Sequence, residues 1–529
     1  MAEKAKRGGK RATPPGHSKV FKTAIFKIHN PSRHKRAMLR SAMKHAHLGY
    51  EKLLDQFMPC DQEIERLGEL NKKERREYAN NIQPKVIKSA SRLPNLSVNA
   101  KSGVRVEALA QIKSTLGLQS EQEGVGLPTV PRINDSQPEY EAALEAIVRS
   151  SHLMEENRCR DELNTVAKMG TLRPLYFCRT GVPGGYVFLK HPDTGRYYAW
   201  LNLHGQDSRY AKKRAITGLV NMQDGEILTK TSKTGALFPL ECGYAYHDLR
   251  FIEQGQPQTA RLYHRLERNG KPCDDYELHV TFKYVVKKVE PTTWLGVDRG
   301  VYNLAAAVVV DDAGKVLESR VMSGMDLRYH QREMERRIAR LQKKGLTTKG
   351  SKRRAWANEA VHVVSNQIVA LAAECRSQVV LEDLKSLSAV RRKKRIPGKR
   401  RGGFNRLLGR VQYEKLRKVL EYKLPLAGLP YPVLVRAAGT SQTCPECSKW
   451  SRDNRVKIPT SDGFQMDEFK CIECGFKADA DENAARVIAM KGHWLTGLPK
   501  KSERKKGPLP DALKFEKFLK DRAERRIGA

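Results

Sequence analysis

Two cysteine pairs constrain this chain more tightly than anything else in it. Cys444-Pro-Glu-Cys447 and Cys471-Ile-Glu-Cys474 have 23 residues between them. Two C-x2-C knuckles at this separation have the ligand spacing of a tetrahedral four-thiolate zinc site. Such a site leaves no open coordination position, so its zinc is structural or helps to position a ligand, and is not the catalyst. A redox role for either pair is the alternative. The other six of the ten cysteines are scattered singly (Cys60, Cys159, Cys178, Cys242, Cys273, Cys375). That usage suits a reducing compartment with one metal site better than a disulfide framework.

Three acidic residues flank the pairs in the sequence. Asp298 ends the apolar run in WLGVDRG, Glu382 ends VVLEDL, and Asp481 lies at the start of the DENAARVIAM helix. A strand end holds a carboxylate rigidly at a sheet edge, and the flanking Gly296 and Gly300 are expected to let a substrate backbone come close. Asp479 with Glu482 reads as a capping box, which makes Asp479 the N-cap and turns Asp481 toward the site. Three converging carboxylates repel one another unless cations sit between them. Two Mg²⁺ ions about 4 Å apart would activate water and stabilise the leaving oxygen of a phosphodiester.

The elements around these acids follow a defined order. Three strands are predicted at Trp294–Asp298, Leu304–Val310 and Val316–Val321. A basic helix (Leu327–Lys344), a second helix, the strand Val379–Leu381, a helix from Phe404 to about Lys423 and a strand Pro432–Val435 come next. This is the order of a ribonuclease H-like sheet, in which the first strand and the strand that follows the helices lie side by side. Asp298 and Glu382 would then meet despite their distance in sequence.

Upstream, residues 19–29 read as a first strand, and Asn30-Pro31-Ser32 breaks it and offers a cap. From Arg33 to about Arg160 the apolar spacing is helical, with Met38, Ala42, Ala46 and Leu53 in one group and Ala143, Ile147 and Leu153 in another. From Pro174 to Lys288 strands and turns take over. Leu278, Val280, Phe282, Tyr284 and Val286 alternate with polar residues, and a small barrel or curved sheet is expected.

The formal net charge of +39 narrows the partner class. A small-molecule enzyme has no need of that excess, whereas phosphate binding does. Candidate phosphate contacts are Arg336, Arg337 and Arg340 on the basic helix, and Arg391, Arg392, Lys393, Lys394 and Arg395 in the loop after Glu382. No apolar run reaches the ~20 residues of a membrane span, and nothing at the N-terminus reads as a signal peptide, so the expected setting is the cytoplasm.

GVDRG, VLEDL, TSQTCPEC, CIECGF and DADENAARVI, in that order, resemble the C-terminal half of the TnpB nucleases of insertion sequences. They are equally similar to the compact type V CRISPR effectors. The resemblance spans about residues 292–490. It implies a split RuvC nuclease domain (292–443 and 479–495) with Asp298, Glu382 and Asp481 as metal-binding acids. It also implies a zinc-ribbon target-nucleic-acid-binding domain (444–478) on Cys444, Cys447, Cys471 and Cys474. The expected fold is α+β, multidomain and bilobed. Its remaining parts are a basic arm (1–18), a β-barrel wedge domain (19–32 and 171–291), a helical recognition domain (33–170) and a basic tail (496–529). The implied function is that of an RNA-guided DNA endonuclease. Mg²⁺, structural Zn²⁺ and a guide RNA would be its cofactors, and double-stranded DNA beside a short flanking motif its target. The guide would be a CRISPR RNA, with or without a trans-activating RNA, and the protein a monomer or homodimer. The alternatives are an RNA-guided binder that does not cut, a transposon-encoded TnpB nuclease and a guide-independent resolvase or transposase.

Overall fold

The computed structural model describes residues 13–58, 72–118, 172–178, 180, 184–241, 251–268, 271–300, 303–345, 353–384, 413–459, 465–497 and 515. The chain is α+β and divides into two compact units, Phe21–Tyr284 and the remainder on either side of it. Among the described residues no helix is long and apolar enough to cross a membrane.

In the unit Phe21–Tyr284, helix α1 (Arg33–Phe57) starts where Ser32 accepts a hydrogen bond from the Lys35 amide. Its buried stripe of Met38, Leu39, Ala42, Met43, Ala46, Tyr50, Leu53 and Leu54 follows helical spacing. Helices α2 (Lys72–Ser91) and α3 (Val98–Leu118) add Val86, Ala90, Ala100, Val104 and Ile112 to the same apolar core. The strands join that core as two sheets. One has four strands, ordered β1 (His17–Lys27), β9 (Lys271–Lys287), β8 (Gln256–Arg268) and β2 (Leu175–Phe177). The other has five, ordered β6 (Ile227–Ser232), β5 (Arg214–Asn221), β3 (Tyr186–Lys190), β4 (Tyr197–Asn202) and β7 (Gly235–Pro239). The bridge Ile28↔Leu240 links the two. The strand character read from the sequence is therefore realised in two sheets of defined order sharing one core with the helices.

In the other unit, the central sheet has the order β12 (Val316–Ser323), β11 (Asn303–Val310), β10 (Thr293–Asp298), β13 (Ser377–Asp383), β14 (Val433–Arg436). Strands β10 and β11 are antiparallel, and β10 runs parallel to β13 and β13 to β14. The first strand thus lies beside the fourth, the neighbour relation that the sequence order required. Helices α4 (Met325–Lys343), α5 (Arg353–Glu374) and α6 (Tyr413–Leu426) lie between these strands in the chain. Side chains alternate across a strand, and the two faces of the sheet have different partners. Leu295, Val297, Val379 and Leu381 pack with Ile368, Leu371, Leu416 and Leu420 of α5 and α6. Val308, Val310 and Val380 pack with Ala485, Ala489 and Ile488 of helix α7 (Ala480–Thr496) on the other face.

Two glycines set how closely α7 lies on the sheet. A Cβ at Gly296 would stand 1.9 Å from the Ala485 carbonyl oxygen, and one at Gly492 would stand 2.2 Å from Val380 Cγ2. Gly296 therefore admits a helix, not a substrate backbone, which corrects the expectation above. A Cβ at Gly300 would stand 2.5 Å from the Asn303 carbonyl oxygen, so this glycine too makes room for the protein's own chain.

Candidate metal centre and zinc ribbon

The alternation that sends Leu295 and Val297 to one face sends Gly296 and Asp298 to the α7 face. On β13 it sends Val380 and Glu382 to that same face. The register pairs Val297 with Leu381, so Asp298 and Glu382 stand next to each other at the ends of parallel neighbours. Asp481 approaches from above. It lies in the first turn of α7, four residues (about 6 Å) before Ala485 at Gly296. Asp479 accepts hydrogen bonds from the amides of Asp481 and Glu482, at 2.9 and 3.1 Å, and so caps the helix and fixes that turn.

These three carboxylates are electrically uncomfortable. Burial, followed by the charges of Glu382 and Asp481, pushes the Asp298 carboxyl up to about 7. Burial also raises Glu382 and Asp481 above the ordinary carboxylate range. Neighbouring groups partly offset this. Asn303 donates to Asp481 Oδ2 at 2.9 Å, and Arg299 donates to the main-chain oxygen of Glu382. Arg455 of the ribbon lowers both Asp298 and Asp481, while Arg299 and Lys491 lower Glu382. A buried set of acid oxygens with too few cations is a donor set that fits divalent metal. Among the described residues, however, only the cysteines close to within 4.8 Å of one another as a metal-ligating group.

Those cysteines are Cys444, Cys447, Cys471 and Cys474. Cys444 Sγ lies 3.6 Å from Cys474 Sγ, and Cys447 Sγ lies 3.4 Å from Cys471 Sγ. The four fit zinc, and Phe469 and Phe476 pack around them. The two knuckles have the same backbone. Ser448 N donates to Cys444 O and Cys444 N to Lys449 O. Gly475 N donates to Cys471 O and Cys471 N to Phe476 O. The residue after each pair is left-handed, Ser448 at φ +68° and Gly475 at φ +72°. The ribbon's strands β15 (Arg455–Pro459), β16 (Gln465–Lys470) and β17 (Lys477–Asp479) form an antiparallel sheet. Burial raises the thiols of Cys444 and Cys447, so metal uptake at neutral pH must release protons.

The left-handed Ser448 gives a prediction. A side chain there costs about 1 kcal/mol against glycine, and its buried hydroxyl has no hydrogen-bond partner. Ser448→Gly is expected to raise the ribbon's unfolding midpoint by a few degrees in thermal melts. An unchanged or lower midpoint would count against this account.

Of the basic candidates, Arg336 lies on α4, exposed, in an ion pair with Glu333 at 2.6 Å, and Arg340 is in the last turn of the same helix. Arg391, Arg392, Lys393, Lys394 and Arg395 lie outside the described residues. Sequence reasoning missed two other surfaces. One is a cavity of about 830 Å³ beside β14 and the ribbon, whose lining includes Arg436, Trp450, Arg452, Lys491 and Trp494. The other is a face of the four-stranded sheet, where Arg261 lies over the Tyr176 ring at 5.3 Å and Arg265 over Tyr263 at 5.2 Å. Tyr263 in turn packs on His279 at 4.2 Å between centroids. The alternation of β8 carried this signal, because Arg261, Tyr263 and Arg265 occupy every second position.

Residues 413–488, from α6 through the ribbon into α7, match the family described as Cas12f1-like, TNB domain. The CRISPR-associated endodeoxyribonuclease Cas12f1 of Sulfoacidibacillus thermotolerans is 36% identical over 86 residues, which are 16% of this chain and 18% of that protein. The matched stretch therefore spans less than a fifth of that relative's length. Among solved structures, a cryo-EM structure of a Cas12f1–sgRNA–target DNA complex covers 89% of this chain and 99% of its own, at 15% identity and a TM-score of 0.30. A CRISPR–Cas12f ternary complex covers 88% and 98%, at 14% identity and a TM-score of 0.29. The family match and the curated relative bear out, over the segment they cover, the resemblance to compact type V CRISPR effectors.

Proposed function

We propose that the chain is an RNA-guided DNA endonuclease in which Asp298, Glu382 and Asp481 hold divalent cations in a RuvC-type site. The observation that carries this is the placement of three carboxylates, from two parallel strand ends and a helix start, on one face of the sheet, all raised above their ordinary range. When bound, two Mg²⁺ ions supply activated water and stabilise the leaving oxygen of a phosphodiester. The protein's own groups do the rest. Asn303 fixes Asp481, Arg299 fixes the backbone at Glu382, and Asp479 fixes the turn from which Asp481 projects. Cys444, Cys447, Cys471 and Cys474 would hold a zinc that braces the ribbon and takes no part in the chemistry. The cationic and aromatic cavity beside the ribbon suits an unpaired strand, and the Arg/Tyr sheet face suits guide RNA, since both combine stacking surfaces with phosphate-binding charge. The likeness to a curated endodeoxyribonuclease supports this reading for the matched segment.

The test begins with expression alongside the native genomic neighbourhood and sequencing of the RNA that co-purifies. Repeats with varied spacers are expected. The guide so defined is then used to cut a matched duplex with and without Mg²⁺. Reads from a transposon end would make the chain a TnpB-type nuclease, and no discrete RNA would overturn guided recognition. A discrete guide with binding but no cleavage would assign the chain to the non-cutting effectors.

A further inference from the structure

Glu382 has a partner that no metal-ligand motif anticipates. Thr440 is 4% exposed, and its hydroxyl donates to Glu382 Oε1, itself in a buried residue at 8%. The same Oγ1 stands 2.9 Å from the Ala437 carbonyl oxygen. A hydroxyl has one proton for these two acceptors, and the carboxylate is the stronger of them. Thr440 therefore aims one Glu382 oxygen and leaves the other for a ligand.

Thr440 is held by a turn that belongs to the ribbon as much as to the sheet. The turn leaves β14 at Arg436, passes Gly439 at φ +78° and reaches Cys444. Thr443 closes it, with its amide 3.1 Å and its hydroxyl 2.7 Å from the Gly439 carbonyl oxygen. Helix α7 braces it through Lys491, whose ammonium donates to Ala438 O at 2.6 Å, and through Asn483, which donates to Thr443 O at 3.3 Å. The fully buried Asn454 ties it to both knuckles. Its amide nitrogen donates to Gln442 O (3.0 Å) and Lys449 O (3.2 Å), and its oxygen accepts from the Ile472 amide at 3.1 Å. Ile472 sits inside the second cysteine pair. With the cysteines unlinked to one another, zinc is what would hold the two knuckles at the spacing Asn454 needs.

We propose that Thr440 is a positioning residue for Glu382, and that through it zinc in the ribbon sets the affinity of the acid face for divalent cations. This rests on the reading of the three acids as a cation site. Removing outer partners of metal ligands typically weakens metal affinity 10- to 100-fold.

The experiment titrates Mn²⁺ into the full chain and reads free Mn²⁺ by electron paramagnetic resonance, without substrate. Thr440→Val is expected to weaken Mn²⁺ binding about tenfold while one zinc per chain is retained. Thr440→Ala, which removes the hydroxyl without adding bulk, gives the same result and guards against misfolding of the valine variant. Thr440→Ser keeps the hydroxyl and restores binding to within about threefold. Stripping zinc from the wild type also weakens Mn²⁺ binding, and this loss is smaller in Thr440→Ala, because the coupled link is already cut. Wild-type affinity in Thr440→Val and Thr440→Ala, failure of serine to rescue, or an equal zinc effect in both backgrounds would overturn the proposal. Asp298→Asn separates the two layers. If it leaves Mn²⁺ binding untouched, the cation site itself is wrong. If it weakens binding while the Thr440 variants do not, only the positioning role fails.

Discussion

Asp298→Asn is expected to reduce Mg²⁺-dependent cleavage of a matched duplex by about a thousandfold, the equivalent of roughly 4 kcal/mol of lost charge stabilisation. Guide and duplex binding should stay within about twofold, because the residue meets cations and not phosphate directly. The same change is expected to stabilise the metal-free protein above neutral pH. Burial and the neighbouring acids raise the wild-type Asp298 carboxyl to about 7 from its ordinary 3.8. Below about pH 4 the folded and unfolded forms are both protonated. Between about pH 4 and 7 the folded form keeps a proton that the unfolded form has lost, so stability falls as pH rises and then levels off. The metal-free wild type should therefore melt lower at pH 8 than at pH 5. Asp298→Asn should close much of that gap, and Mg²⁺ should raise the pH 8 midpoint of the wild type far more than that of the variant. Melting curves at the two pH values, with and without Mg²⁺, check this. Persistent cleavage by the variant, or identical wild-type midpoints at pH 5 and pH 8, would contradict it.

Zinc removal should have the largest effect on stability. Structural zinc in small thiolate sites contributes about 10–16 kcal/mol of apparent binding free energy at neutral pH, and that energy is also folding energy. Among its described residues the ribbon has little else. Its apolar cluster consists of Phe469, two buried cysteines, and the partly buried Cys447 and Phe476. Chelation, or Cys444→Ser with Cys447→Ser, is expected to unfold β15–β17 and loosen the first two turns of α7, where Arg486 pairs with Glu446 of the first knuckle at 2.7 Å. Hydrogen exchange should show protection lost first over residues 465–479, with the β10–β13 pairing kept. An unchanged exchange and melting profile would rule out a structural metal.

The parts of this architecture that could be read in the sequence were those written in repeating or paired signals. The knuckles were legible because two C-x2-C pairs have few other uses. The two strand-end acids were legible because each closes an apolar run, and Asp479 as a cap because a glutamate follows three residues later. What was not legible depended on contacts between distant single residues. Gly296 looked like clearance for a substrate, since nothing in GVDRG says that Ala485 will lie above it. Asn303, Thr440 and Asn454 are isolated polar residues with no periodicity, and their roles exist only once strands and ribbon are assembled. The division of the strands into two sheets of this order was hidden for a related reason. Alternation shows that a strand has one buried face, but not which strand is its neighbour.

The placement of α7 also bears on when the site comes into being. Asp481 follows Asp298 by 183 positions, a gap of roughly 10–40 seconds at ordinary rates of chain synthesis. Until α7 leaves the ribosome, the face of β10 and β13 that carries Asp298 and Glu382 lacks its cover, and the third acid does not yet exist. If the three acids form the proposed cation site, a nascent chain cannot complete it until α7 docks, and is harmless to nucleic acid for most of its synthesis.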